Sequence, residues 1–304
     1  FLAGYPIEPK AWQSLGLKKK ALAARFRKHL FKLPKNKSLF NTTATIAHPI
    51  QARRLLSEIK LLEKIGSTHD GMSIYLMPYS PDSLLMQEIG RLRELAFRMV
   101  NEGTGNQVDL DNYDTRYQHL LLWNDKELEI VGAYRIGLCG NIVDKHGIQG
   151  LYTSSLYDID DGFKPLAHQT LELGRSFVQP KYWGLRGLEY LWYGIGAVIR
   201  RYPEIKYLFG AVSIPGDYTE DLLQDMVNHY SNHYPKPNSA PPMQAQHDFP
   251  VTKKQQETDS KVAFQTLSKK IKAAGMTLPV LYKQYTDLCE PGGVGFINFA
   301  RDPE

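Results

Sequence analysis

Cysteine is scarce: the 304 residues hold two, Cys139 and Cys289. They provide no disulfide framework and no cysteine-based metal ligand set, and the usage fits a reducing cytoplasm. Long apolar runs are missing too. None approaches the roughly 18 residues that a bilayer-spanning helix needs, and no signal peptide is recognisable. The nine histidines contain no HExxH pair, there is no G-x-S-x-G elbow, and no Gly-Lys-Ser/Thr nucleotide loop occurs. His229 and His233 have helical i, i+4 spacing but no evident third ligand, so no metal is expected. There is no internal repeat. The first residue is Phe1, and a piece of a longer protein is expected.

Acid is scarce at one end. Residues 1–60 hold 13 Lys and Arg against 2 Asp and Glu, a net charge of +11; the rest holds 24 against 30, a net of −6. A basic arm or face follows. It is either a solvated basic helix or a surface for an anionic membrane or an acidic protein. Nucleic acid is not expected as a partner, because no zinc, helix-turn-helix or RNA-binding signature accompanies the charge. Hydrophobic content of 42% and charged content of 23% are those of a globular protein able to bury a core.

Within that arm, residues 15–34 read as a basic helix with a rough apolar stripe, ended by Pro34. Residues 39–46 read as a strand and 52–65 as a helix stopped near Gly66. After the loop GSTHDG, the run MSIYLM is a short strand, and 83–100 follows a helical period. Residues 117–123 and 129–138 are strands joined by a turn at Asn124–Asp125. Residues 170–179 form the next strand, and 184–201 the strongest helix, with Leu188, Leu191, Trp192, Ile195, Val198 and Ile199 on one face. A buried strand over 205–213, a helix over 219–230, a mobile loop over 235–257, helices over 260–274 and 278–288 and a strand over 294–299 complete the chain. This order is an α/β fold with a mixed sheet flanked by helices, not the regular alternation of a doubly wound sheet.

Three groups of residues carry chemistry. The stretch LELGRSFVQPKYWGLRGLEYL joins a strand to a helix through a turn holding Gly184. The first amides and the dipole of that helix favour a phosphate, and Lys181 and Arg186 add charge. Glu172 and Arg175 lie on the preceding strand. They share a face only if a bulge intervenes, so one would face the site while the other fixes it at an edge; the plainer reading is a buried structural ion pair. Asp109, Asp111 and Asp114, interleaved with Tyr113 and Arg116, form either a capped turn or a site for an ammonium group or divalent ion, although the Gly and final Glu of a calcium loop are missing.

Residues 85–215 resemble the GNAT superfamily, in the branch of ornithine-lipid N-acyltransferases, hemolysin-like proteins and acyl-homoserine-lactone synthases. The pieces that carry the resemblance are RELAFR (93–98), VDLDNYD (108–114), HLLLW (119–123), VGAYRI (131–136), LELGRSFVQPKYWG (171–184) and YLFGAVSIP (207–215), in the family's order. The tail LPVLYKQYTDLCEPGGVGFINFARDPE is similar to that of hemolysin-like members. Residues 1–65 resemble the end of a glycerolipid O-acyltransferase domain. No His here has that family's Asp five positions later, so that second activity is not expected. The implied organisation is a remnant or tail over 1–65 and a GNAT-like domain over 70–304, with its core at 85–215 and an extension at 216–304. The implied fold is a mixed, mainly antiparallel central sheet flanked by helices, with a basic N-terminal helical segment.

The resemblance implies a long-chain N-acyltransferase of bacterial aminolipid synthesis. An amino acid would be the acceptor and acyl carrier protein (ACP) the donor, with no tightly bound cofactor. The chain would be cytoplasmic and peripheral on the inner face of the membrane. Phosphopantetheine, or acyl-CoA, would run beside Phe177 and Val178, with its phosphate at Lys181, Tyr182, Gly184, Leu185, Arg186 and Gly187. The sequence Tyr182–Gly187 departs from the usual superfamily loop, which favours ACP over coenzyme A. Arg98, Asp109, Asp111, Asp114 and Arg135 match the acceptor-binding pattern. Glu172 is the expected base, with Asp109 or Asp111 as the alternate. A backbone N–H near Phe177 or Val178 would hold the oxyanion, Arg135 or Arg175 the acceptor carboxylate, and Tyr218 would protonate the leaving thiolate. The competing readings are an acetyl-CoA-dependent acetyltransferase of small amines and a non-catalytic, membrane-associated hemolysin-like protein.

Overall fold

A computed structural model describes residues 4–301 apart from 8, 36, 41, 215, 239, 242 and 252–258. In chain order the helices are α1 (Pro9–Gln13), α2 (Lys19–Lys32), α3 (Ala52–Ile59), α4 (Leu84–Arg98), α5 (Cys139–His146), α6 (Lys164–Ala167), α7 (Gly187–Arg201), α8 (Glu220–His233), α9 (Ser260–Ala273) and α10 (Val280–Leu288). The strands are β1 (Lys64–Ser67), β2 (Met72–Pro78), β3 (Gln118–Asn124), β4 (Glu129–Leu138), β5 (Tyr157–Ile159), β6 (Thr170–Val178), β7 (Tyr207–Phe209) and β8 (Met243–Ala245).

Six strands form the central sheet in the order β1-β2-β3-β4-β6-β7. Every pairing is antiparallel except the last, β6 with β7. Strand residues alternate between two cores. On one face Leu120, Leu122, Tyr134, Ile136, Leu171 and Leu173 pack against Leu191, Ile195 and Val198 of α7. On the other, Leu121, Trp123, Ala133 and Phe177 meet Leu85, Ile89 and Leu92 of α4 and Leu55 and Ile59 of α3. Helix α4 begins where its spacing predicts. Ser83 caps it by accepting from the Met86 amide, and Glu58 of α3 takes the amide protons of Leu84 and Leu85.

Several expected elements differ. The helix over 52–65 stops at Ile59, and 64–67 join the sheet as β1. A domain boundary at 65–70 therefore falls inside the β1–β2 hairpin. Of the strand expected over 39–46, none of the described residues joins a sheet, residue 41 lying outside them; the Ala44 and Ala47 amides bond instead to the carbonyls of Gly105 and Gln107. The strand expected over 205–213 shrinks to Tyr207–Phe209 and is largely exposed. Within 235–257, β8 pairs with β5 as a second sheet; residues 239, 242 and 252–257 of that expected loop lie outside the described residues. Residues 294–299 form no strand. Phe296 and Phe299 pack beside Tyr230 and Tyr282 in a C-terminal aromatic cluster.

Candidate active site

The site grows from a defect in β6. Gly137 pairs with Glu172 and Arg135 with Gly174, but Ala133 pairs with Phe177, so residues 175 and 176 are a bulge. Arg175 takes φ +47, a left-handed conformation that non-glycine residues rarely adopt. The bulge brings Glu172 and Arg175 to one face, beside Arg135 and under α4. Beyond Glu172, paired with Phe209, the β6–β7 pairing ends. At Gly210 a side chain would collide with the Leu173 carbonyl, so the close approach there needs glycine. From that point one edge of β6 is open. The Gln179 amide bonds to Val131 on β4. By antiparallel alternation the Phe177 peptide groups face β4 and those of Val178 face the open edge. Phe177, expected near the donor, is a core residue whose amide serves the sheet.

Above the bulge lies the acidic turn. The Asp109 amide donates to the Gly90 carbonyl of α4, and Leu110 sits where any side chain at Gly90 would. Asp111 caps the short helical turn Asn112–Arg116 in a reciprocal capping box with Asp114. The capped-turn reading holds, and the turn is also the scaffold of a charge cluster. The Arg135 Nη1 donates to Asp111 at 2.7 and 2.8 Å and lies 3.5 Å from Asp114. Arg93 of α4 donates to Asp114 at 2.8 and 3.2 Å and to the Asp109 carbonyl. Arg175 reaches Asp111 at 3.6 Å and Asp109 at 3.9 Å. Three cations face three carboxylates, and Arg135 is also stacked over Tyr113, Tyr117 and Tyr152.

The carboxylates are not equivalent. Burial works to raise the pKa of Asp114, but Arg93 and Arg135 prevail and hold it at about 2. For Asp109 burial prevails over Arg93 and Arg175, with help from its acidic neighbours, and the pKa is raised. Its Oδ2 has no hydrogen-bond partner, nor does the Nε of Arg175 or the Nε and Nη2 of Arg135. Asp111, Arg175, Tyr113 and Tyr152 are only partly buried and form the mouth of the cluster. Behind it, burial pulls His119 down to about 4, which leaves a neutral ring near the Asp114 carbonyl.

Glu172 does not present a free carboxylate. It accepts from the Thr153 amide at 2.6 Å, from the Thr153 hydroxyl at 2.5 Å and from the Tyr117 hydroxyl, which itself accepts from the Tyr152 amide. These contacts tie Glu172 to the Tyr117–Tyr152 wall beside Arg135 and occupy both oxygens of the carboxylate expected to act as base. Tyr218 is also displaced. Its hydroxyl donates to the Thr277 carbonyl within the C-terminal cluster. Arg98 points away, bonded to Glu94 and the Asn106 carbonyl. Arg93, Tyr117, Tyr152 and Thr153 went unread in the sequence. Only Arg93, at the head of RELAFR, carried a signal.

The expected phosphate turn is less basic than its sequence. Lys181 pairs with Glu129, and Arg186 with Glu189 at 2.5 Å. Tyr182 is buried, donating to Glu129 and accepting from Asn124. Yet Gly184 takes φ +76, Leu185 is exposed, and no side chain caps α7. The Tyr190 amide makes the first intrahelical bond, to Arg186, so the Gly187–Glu189 amides remain as donors. Gly187 lies tight against Val178. The Trp183 indole donates to the Val178 carbonyl at 2.7 Å, across the open edge. Among the described residues no group of three His, Cys, Asp or Glu is placed to hold a metal ion, and no helix is long and apolar enough to cross a membrane.

Residues 92–193 match the family described as acetyltransferase (GNAT) domain. The chain is similar to a glycine N(alpha)-acyltransferase of Phocaeicola vulgatus, 34% identical over 253 residues that cover 77% of this chain and 76% of the relative. A glycine N(alpha)-acyltransferase of Bacteroides thetaiotaomicron is 37% identical over 186 residues, 57% of this chain and 55% of the relative. An L-ornithine N(alpha)-acyltransferase of Brucella abortus is 34% identical over 139 residues, 41% of this chain and 48% of the relative. The mixed sheet, the strand pair that parts at a bulge and these likenesses agree: the chain is an acyltransferase and belongs to the GNAT family, in the branch of the glycine and L-ornithine N(alpha)-acyltransferases.

Proposed function

We propose that this enzyme transfers a long-chain acyl group from acyl carrier protein to the α-amine of an amino acid. The observation that carries the reading is that Arg175 Nε, at the mouth of a cluster of opposite charges, and Asp109 Oδ2, buried behind it 3.3 Å from Arg93, both lack a hydrogen bond beside the open edge of β6. An amino acid carries an ammonium and a carboxylate a few ångströms apart. The Arg175 guanidinium suits the carboxylate, and Asp109 with Asp111 suits the ammonium. The names of the relatives, which specify glycine and L-ornithine, support the same acceptor class.

In this reading Asp109 is the base. Burial raises its pKa against the charges of Arg93 and Arg175, which makes it a better proton acceptor than an ordinary aspartate. The ammonium gives a proton to Asp109 Oδ2. The freed amine attacks the thioester carbonyl, and the Val178 N–H on the open edge stabilises the oxyanion. A C–N bond forms, the C–S bond breaks, and the thiolate leaves with the carrier. The second amine proton passes to the thiolate through solvent. The Gly187–Glu189 amides would receive the carrier's phosphate. The segment before α3 serves as a docking segment, supported by the bonds of Ala44 and Ala47 to residues 105 and 107, while α3 itself packs into the core and contacts α4 through Glu58.

The purified chain, incubated with palmitoyl-ACP and an equimolar pool of amino acids, is expected to give an N-palmitoyl amino acid by mass spectrometry. Acylation only of non-amino-acid amines, or only from acetyl-CoA, would overturn the proposal.

A further inference from the structure

We infer that helix α2 docks this enzyme on an anionic lipid surface, with Leu30 and Phe31 entering the headgroup layer and the flanking cations meeting lipid charge. One face of α2 is already used. Phe26 stacks on Phe40 at 4.5 Å, Arg25 donates to the Leu39 carbonyl at 2.8 Å, and His29 accepts from the Leu39 amide. Turning away from that face near the end of the helix are two adjacent large apolar side chains, Leu30 and Phe31, which are 64% and 70% exposed. Around them Lys20, Arg27, Lys28, Lys35 and Lys37 are exposed, and Arg27 lies over the Phe31 ring at 5.8 Å.

The segment from Pro9 to Ser57 contains twelve Lys and Arg and no Asp or Glu. Among the described residues none of those cations takes part in an ion pair with another part of the chain. A solvated basic helix needs no exposed Leu–Phe pair. An acidic protein would match the charge but meets it through rim ion pairs, and two convex apolar side chains have no groove there to fill. An anionic bilayer surface offers negative charge outside and hydrocarbon beneath, in the order in which this face presents its groups.

The position also has a consequence for the reaction. The segment after α2 is bonded through Ala44 and Ala47 to residues 105 and 107, two positions before Asp109. The lipid-facing helix and the acceptor cluster are therefore linked by one short loop. The lipid contact itself does not depend on the identity of donor or acceptor.

Vesicle flotation tests the inference with phosphatidylcholine vesicles alone and with vesicles containing 30 mol% phosphatidylglycerol. The chain is expected to float with the anionic vesicles at least tenfold more than with the neutral ones, and less at 0.5 M than at 0.1 M salt. Two variants separate the terms: Leu30→Ser with Phe31→Ser, and Arg27→Glu with Lys28→Glu. Each is expected to lose tenfold or more in vesicle partition with an unchanged Tm, because these side chains are exposed. Equal flotation on both vesicles, or unchanged binding in the Leu30→Ser, Phe31→Ser protein, would overturn the lipid contact. So would absent vesicle binding together with a loss of ACP affinity in the charge-reversed protein, which would make the face a carrier dock.

Discussion

Arg175 Nε lies 3.9 Å from Asp109 Oδ1, and the two groups leave between them a buried donor and a buried acceptor with no hydrogen bond. Such atoms are costly in an empty site and cost little once a ligand bonds to them. The bulge that creates this arrangement also strains the chain, since Arg175 holds a positive φ.

Replacing Arg175 separates strain from binding. Arg175→Gly removes the steric cost of the left-handed conformation and the cation together. The expected result is a small stability gain, about 0.5–1 kcal/mol after the entropy of glycine is set against the relieved strain. The KM for the acceptor should rise tenfold or more. Arg175→Ala should raise KM equally without that gain. Steady-state kinetics and thermal melts of the pair check this.

Asp109→Asn should abolish most turnover without unfolding the protein. The folded-state pKa of Asp109 is raised, so its ionisation is harder in the native state than in the unfolded chain. Its contribution to stability is therefore full below the unfolded value and declines as pH rises through the folded value. The variant should lose this decline and be at least as stable as the parent at pH 7. In the parent, kcat/KM should fall on the acid side as Asp109 is protonated. A pH profile with an unaltered acid limb in Asp109→Asn would point to another base.

How much of this was legible depended on how many residues encode each feature. Helices α4 and α7 showed because apolar residues recur over four turns each. The hairpin β3–β4 showed through its alternation and its turn. The bulge left no trace, since Arg175 is an unusual residue at a positive φ and a change of register has no compositional mark. Strand β7 was overread: residues 205–213 look apolar, but the chain leaves β6 after Phe209. The misplaced Arg98 has a plain cause. Five residues advance a helix by about 500°, so Arg93 and Arg98 point about 140° apart, and only Arg93 faces the acidic turn. Glu172 lies on β6 as expected, facing the charge cluster. Its role turned on Thr153 and Tyr117, which are distant in sequence and bear no motif.

Asp114 is the structural anchor of the cluster. Its pKa, lowered from 3.8 to about 2, corresponds to roughly 2 kcal/mol of stability. That contribution is present above the unfolded value and is lost as pH falls through about 2. Asp114→Asn takes from the buried Arg93 the nearer of its two ionic partners, leaving Asp109 at 3.3 Å, which costs about 2–3 kcal/mol, below the full loss of a buried pair. Denaturation at pH 7 should show the loss, and the difference from the parent should shrink below pH 4.

Tyr117→Phe tests the positioning role of Glu172. The variant removes one donor to Glu172 and the acceptor of the Tyr152 amide, both buried. A loss of about 1–3 kcal/mol is expected. If Glu172 acts only by fixing this wall, Glu172→Gln should lower stability and raise the acceptor KM while leaving the acid limb of the pH profile in place. The two substitutions together should then cost less than the sum of the singles, because they break one network.

Trp183 stands across the open edge of β6, its indole bonded to the Val178 carbonyl although the residue is 44% exposed. A thioester donor entering beside Val178 has to meet or displace that bond. An exposed tryptophan in such a place either occupies the donor's path in the free enzyme or clamps the donor once it is bound. The two roles give opposite kinetics. As an occupant, Trp183→Ala lowers the donor KM, because binding no longer requires the indole to leave. As a clamp, it raises KM and leaves more of the donor exposed to water. The existing hydrogen bond favours occupancy, since a donor lying along the open edge of β6 would compete for the carbonyl it satisfies. The expected result is therefore a fall in donor KM of a fewfold with little change in acceptor KM. A shift of the tryptophan emission on adding ACP to the parent, absent in Trp183→Phe, would report the displacement directly.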